Sequence, residues 1–214
     1  TTVSKEWDQA TTDAALDVVA YIAPRLTDLA GTRDKAPDRS QKLLAFCQTF
    51  AERAFRSPVS NEQKAILERL FRTAKDPETG VKRVVLYVLK SPRFLYREVN
   101  DRATAYNVAS RLSFGLWDSI PDKQLLEAAS AGRLSTPDQV RQQAQRMLND
   151  PRARTKLRAF LMVWLKADQP RDLAKDTRKF PDFDKSVISD LRTSLELLLD
   201  EVVWSEKSDF RQLL

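Results

Sequence analysis

Histidine is absent from the 214 residues, cysteine occurs once, and glycine occurs four times. Without histidine the chain lacks the commonest general base and the commonest metal ligand. A Ser–His or Cys–His nucleophile cannot be assembled within it. Nor can the C-x-x-C-H attachment site of a c-type haem. The single Cys47 cannot form an internal disulfide, and its setting, "LLAFCQTF", is that of a small buried hydrophobe. Scarce glycine argues against hairpins and phosphate-cradling loops, and no P-loop, G-x-G-x-x-G, G-x-S-x-G or H-E-x-x-H occurs. No apolar run approaches the roughly 20 residues of a membrane-spanning helix; the longest is "VVLYVL", 84–89. The chain opens Thr-Thr with no secretory signal, and its last segment, "SEKSDFRQLL", trails off apolar at the end. Both ends suggest a processed product, a fragment or a trimmed chain whose natural sequence continues.

What is present is apolar material in helical register. Hydrophobic residues make up 42% and charged residues 31%, enough for a core and against wholesale disorder. The net charge of +6 is unevenly spread: +6 over 41–102 and +5 over 151–175, against −2 over the first forty residues and −3 over 176–214. Such segments are either a surface field or solvated helix faces.

Periodicity predicts an all-α fold, an irregular or orthogonal multi-helix bundle of about nine helices with short connections. A helix over 12–29 is kinked at Pro24. Others are expected at about 40–56, after the Ser60/Gln63 capping box, over 80–90 following a "KDPETG" turn, and over 103–117. "DKQLLEAASA" ends on Gly132; Thr136-Pro137 and Asp150-Pro151 each open a further helix. The last spans 184–204, with Val187, Leu191, Leu195, Leu198, Val202 and Val203 on its apolar side, and 168–184 reads as irregular. Trp117, Trp164 and Trp204 are expected as core anchors.

Candidate chemistry is thin. Glu98 with Asp101, and Asp118 with Asp122, are carboxylate pairs of the kind that share acid–base work when burial separates their pKa values. The plainer reading makes them helix caps and ion-pair partners. "KSPRFLYREVN", 90–100, alternates arginine with aromatics. Ser91-Pro92 reads as a helix break and restart, after which Arg93 and Arg97 share one helix face and Leu95 and Val99 another. That two-sided pattern, with no recognised nucleic-acid motif anywhere, places nucleic acid last among partners. The arginine face points to solvent, to the acidic 184–204 helix or to a partner. Arg93, Arg97 and Arg111 are the candidate structural or interaction residues, because arginines can hold carboxylates or helix ends in place; no catalytic, cofactor-binding or metal-ligating residue is assigned.

Several spaced motifs then carry a resemblance. "FAERAFRSPVSNEQ" (50–63) and "LKSPRFLYRE" (89–98) precede "ASRLSFGLWDSIPDKQLLEAASAGRL" (109–134), "RMLNDPRARTKLRAFLMVWL" (146–165) and "KFPDFD" (179–184). In this order they resemble a planctomycete and myxobacterial family of large exported proteins. These carry tandem domains of unknown function and are often fused to a c-type cytochrome-like domain. The likeness covers about residues 46–214, with "SFGLW" where the family usually has a pattern like "SYFLW". It implies segments 1–45 (unplaced), 46–100 (a small helical domain) and 101–214 (a larger one, truncated at its C-terminal end). It implies a periplasmic or cell-surface location, no cofactor in this chain, haem c elsewhere in the full-length protein or complex, and partners among other domains or protein chains. Two function classes stay open: a helical scaffold or interaction domain, and part of an oxidoreductase or hydrolase whose cofactor or catalytic histidines lie elsewhere.

Overall fold

The computed structural model describes residues 3–97, 104–167, 175–176, 178–206 and 208–213. Among them the fold is all-α, with nine longer helices and two single turns. In order these are α1 Lys5–Ile22, α2 Leu26–Leu29, α3 Arg39–Phe55, α4 Asn61–Arg72, α5 Pro77–Leu89, α6 Pro92–Leu95, α7 Ala105–Trp117, α8 Lys123–Ser130, α9 Pro137–Leu148, α10 Pro151–Trp164 and α11 Lys185–Trp204. The chain divides into two compact units, Thr1–Arg111 with Ile120–Thr136, and Leu112–Ser119 with Pro137–Leu214.

The first unit is organised around α5, which packs against α1, α3, α4 and α6. Val81, Val84, Val85 and Val88 are almost wholly buried on it, each worth roughly 1.5–3 kcal/mol of transfer free energy. They meet Leu43, Cys47 and Ala51 of α3, Leu67 and Phe71 of α4, and Ala15, Val19 and Ile22 of α1 in one cluster. Gly80 lets α5 approach α4 closely: a Cβ there would lie 2.8 Å from the Phe71 carbonyl oxygen. The capping box at Ser60 is present in full, with Gln63 Oε1 accepting from the Ser60 N–H at 2.8 Å.

Two helix starts differ from the sequence reading, and the break expected at Pro24 is present. α1 begins at Lys5, a turn and more before residue 12, because the Ser4 hydroxyl caps it by accepting from the Trp7 N–H. Its first two turns are polar, so apolar periodicity does not register them. "KDPETG" is not simply a turn. Asp76 is the N-cap of α5 and accepts from the Thr79 N–H at 2.7 Å, with Pro77 at the first helical position. Near Pro24 the helix gives way to a 3-10 turn, Ala23–Arg25, before α2.

In the second unit α10 and α11 run antiparallel, as the pairings of Arg154 with Trp204 and Arg158 with Asp200 require. Leu161, Met162 and Leu199 form the buried centre of their seam, with Leu157, Leu165, Leu195 and Val203 partly buried around it. Asp150 caps α10 and Asp184 caps α11.

Candidate functional site

The basic-aromatic stretch is held by a residue the sequence reading passed over. α3 ends at Arg56, which adopts a left-handed backbone (φ 60°) normally filled by glycine. The side chain is 5% exposed. Its guanidinium donates to four carbonyl oxygens: Ala54 at 3.1 Å, Phe94 at 3.4 Å, and, through Nη2, Arg93 at 2.7 Å and Tyr96 at 3.0 Å. Burial pulls its pKa below the usual arginine value. A planar fork with several donors matches this converging set of acceptors.

α6 therefore stops after one turn, and Tyr96 is already extended. Arg93 and Arg97 do not share a helix face, because the carbonyls that would continue the helix are bound to Arg56. Both side chains are exposed, as is that of Arg111 on α7. Tyr96 stacks on Trp7, ring centroids 6.0 Å apart. Lys90 reaches α1, donating to the Asp8 carboxylate (2.8 Å) and to the hydroxyls of Thr11 and Thr12. Glu98, Val99 and Asp101 lie outside the described residues. The signal that could have exposed Arg56 is weak: a helix ending without glycine, directly before Ser57-Pro58.

The other carboxylates serve structure. Asp122 caps α8 by accepting from the Leu125 N–H at 2.8 Å. Asp118, with a positive φ of 49°, pairs with Lys156 at 2.5 Å. Asp150 takes a two-pronged interaction from Arg152 (2.8 and 2.9 Å) plus its backbone N–H, which hold its pKa down at about 2. Arg152 in turn lies 3.6 Å over the buried ring of Trp117, whose N–H donates to the Met147 carbonyl at 2.9 Å. Cys47 is fully buried, and desolvation pushes its thiol up to about 12. No group of three or more His, Cys, Asp or Glu side chains suited to a metal ion occurs among the described residues, and no described helix is long and apolar enough to cross a membrane.

Two features remain that are shaped to receive something. In the first unit a cleft of about 670 Å³ is lined by Glu52 and Arg53 of α3, Pro58, Tyr106 of α7, and Lys123 and Leu126 of α8. That volume lies within the range of small-molecule sites. In the second unit Trp164 is not a core anchor. It is 49% exposed, beside Phe160 at 57% and Val163 at 61%. "FLMVWL" splits by helical geometry: Leu161 and Met162 turn toward α11, while Phe160, Val163 and Trp164 fall on other sides. On α11, Leu191 and Leu198, expected on the core side, are 53% and 47% exposed, and Leu199 takes the buried place. Trp117 is buried as expected, and Trp204 is half-buried under the Arg154 guanidinium.

A two-unit, all-α chain with cap-and-anchor arginines and an uncovered helical face is the class these observations define. The chain belongs to the family described as PSD4, protein of unknown function (DUF1592), whose model matches residues 103–214. The model of PSD5, protein of unknown function (DUF1595), matches residues 43–98, so two domains of unknown function stand in tandem. No curated protein and no solved structure matches the chain.

Proposed function

We propose that this chain is a helical scaffold and interaction module that presents the α10–α11 face to other domains of its polypeptide or to a partner protein. The observation that carries this is the uncovered apolar surface of Phe160, Trp164, Leu191 and Leu198 on two adjoining helices. Contiguous exposed apolar surface on a charged protein marks an interaction site. The resemblance of the spaced motifs supports the finer reading: an exported, periplasmic or cell-surface, redox-linked multi-domain protein whose haem c lies outside this chain. The test is a photo-crosslinking residue at Phe160, with Tyr87 of the first unit as the exposed control. A discrete crosslinked species from position 160 alone is expected in the producing cell. Equal or absent crosslinking at both positions removes the reading.

A second reading draws on the first unit's cleft. With Glu52, Arg53, Lys123 and Tyr106 on its walls, it suits a small molecule carrying both polar and apolar groups, as part of an oxidoreductase or hydrolase completed elsewhere would require. Its test is a thermal-shift screen repeated on Leu126→Trp, which fills the cleft. Ligand shifts lost in that variant support it, and a screen with no shifts ends it.

A further inference from the structure

We propose that the outer seam of α11 is a berth for one amphipathic helix with a cationic flank, supplied by another domain or chain. The inference rests on the interaction-module reading and names its occupant. Leu191, Leu195, Leu198 and Val202 are spaced four, three and four apart, the repeat by which one helix packs along another. α11 already uses Leu195, Leu199 and Val203 against α10, so this is a second, adjoining stripe, half of it uncovered. With about 100° between successive residues, Phe160 and Trp164 leave the α10–α11 seam on the same side as Leu191 and Leu198. Two antiparallel helices thus form the floor and walls of a shallow groove, the shape that accepts a third helix through anchors at i, i+3, i+4 and i+7.

Charge selects the occupant. On the α10 side of α11 the charges are already matched: Arg158 pairs with Glu196 and Asp200, and Arg192 with Glu196. The opposite flank carries Asp190, Ser194, Leu197 and Glu201. Its two carboxylates are exposed, and among the described residues of α11 that flank carries no cation. A helix lying in the groove meets this flank along its whole length and is favoured by Lys or Arg there. A second copy of this chain laid antiparallel would set its own acidic flank against the first, which disfavours self-pairing.

Designed amphipathic peptides test this against the 214-residue chain by fluorescence anisotropy at low salt. One has leucine at its seam positions and lysine on its flanks; the other has glutamate on its flanks. The lysine peptide is expected to bind at least about tenfold more tightly, given two surface charge contacts changed from attraction to repulsion. Leu191→Ser with Leu198→Ser abolishes binding. Because both residues are exposed, the circular dichroism of that variant stays unchanged, which separates lost docking from lost folding. Asp190→Asn with Glu201→Gln removes the preference between peptides while leaving binding itself. Equal binding of the two peptides, or binding indifferent to the double serine variant, overturns the proposal. So does a dimer in sedimentation velocity that the same variant dissolves. If the peptides fail while Phe160 still crosslinks in cells, only the occupant is wrong; if Phe160 does not crosslink, the interaction module itself falls.

Discussion

The first unit buries α5 among four other helices, while in the second α10 packs against α9 and α11, and α11 against α10 and the 3-10 turn Phe210–Leu213. Around α5 the buried cluster runs from Ala15 to Leu89; along the α10–α11 seam its centre is Leu161, Met162 and Leu199. Both units expose large apolar residues. In the first these are Val3, Leu16, Val18 and Leu29 together with Tyr21, Tyr87, Tyr96 and Trp7, which stacks on Tyr96. In the second, Phe160, Val163, Leu191 and Leu198 have no polar handle. A helix hydrophobic on two sides is stable where both sides are covered. The first unit therefore surrounds its most apolar helix, and the second leaves large apolar residues of its two longest helices uncovered.

Deleting the same side chain in each core probes the contrast most strongly. Leu67→Ala removes a fully buried residue from the first unit and is expected to cost about 2–5 kcal/mol. Leu199→Ala falls near 2 kcal/mol, because its half-exposed neighbours can close the space. Hydrogen exchange within each unit measures both, and equal losses break the comparison.

Arg56→Ala comes next. It strips donors from the carbonyls of Arg93, Phe94 and Tyr96 and is expected to cost about 2 kcal/mol in urea denaturation. Arg56→Gly recovers about 1 kcal/mol of that, since glycine adopts the left-handed backbone without strain.

Titration should separate the units. The Cys47 pKa rises from 9.0 to about 12 on folding, so the folded state holds that proton and its contribution is complete below pH 9. It is lost as pH climbs toward 12, and the first unit weakens there. Cys47→Ala flattens this alkaline slope. Asp150 moves the other way, down to about 2, and Asp184 is also lowered, first by its hydrogen bond from the Ser186 hydroxyl. Their contribution is present above about pH 4 and disappears as pH falls toward 2. Asp150→Asn reduces the acid dependence of the second unit's melting followed by circular dichroism.

The smallest effects belong to the uncovered face. Phe160→Ser and Leu198→Ser are expected to change the stability of the isolated chain by no more than about 0.5 kcal/mol, while lowering its aggregation in light scattering.

Helix starts at Ser60, Ser91, Asp122 and Asp150 were legible because a cap and, at two of them, a proline announce them locally. Asp76-Pro77 carried the same signal, but Gly80 disguised it as a turn; only the closeness of Phe71 explains that glycine. The Arg56 cap was not legible, since its acceptors lie 37 to 40 residues away. The stripe Leu191–Leu195–Leu198–Val202 was read correctly as apolar. Its direction was not readable, because periodicity identifies a face and not what covers it. The basic segments behave likewise: Lys90, Arg152 and Arg158 are tied to nearby carboxylates.

Residue-resolved carbene labelling, comparing the isolated chain with the protein in its native assembly, tests the central claim most directly. The account predicts strong protection of Phe160, Trp164, Leu191 and Leu198 in the assembly, with Tyr21 and Tyr87 labelled equally in both. Unchanged labelling across α10 and α11, or protection confined to the first unit, would contradict it.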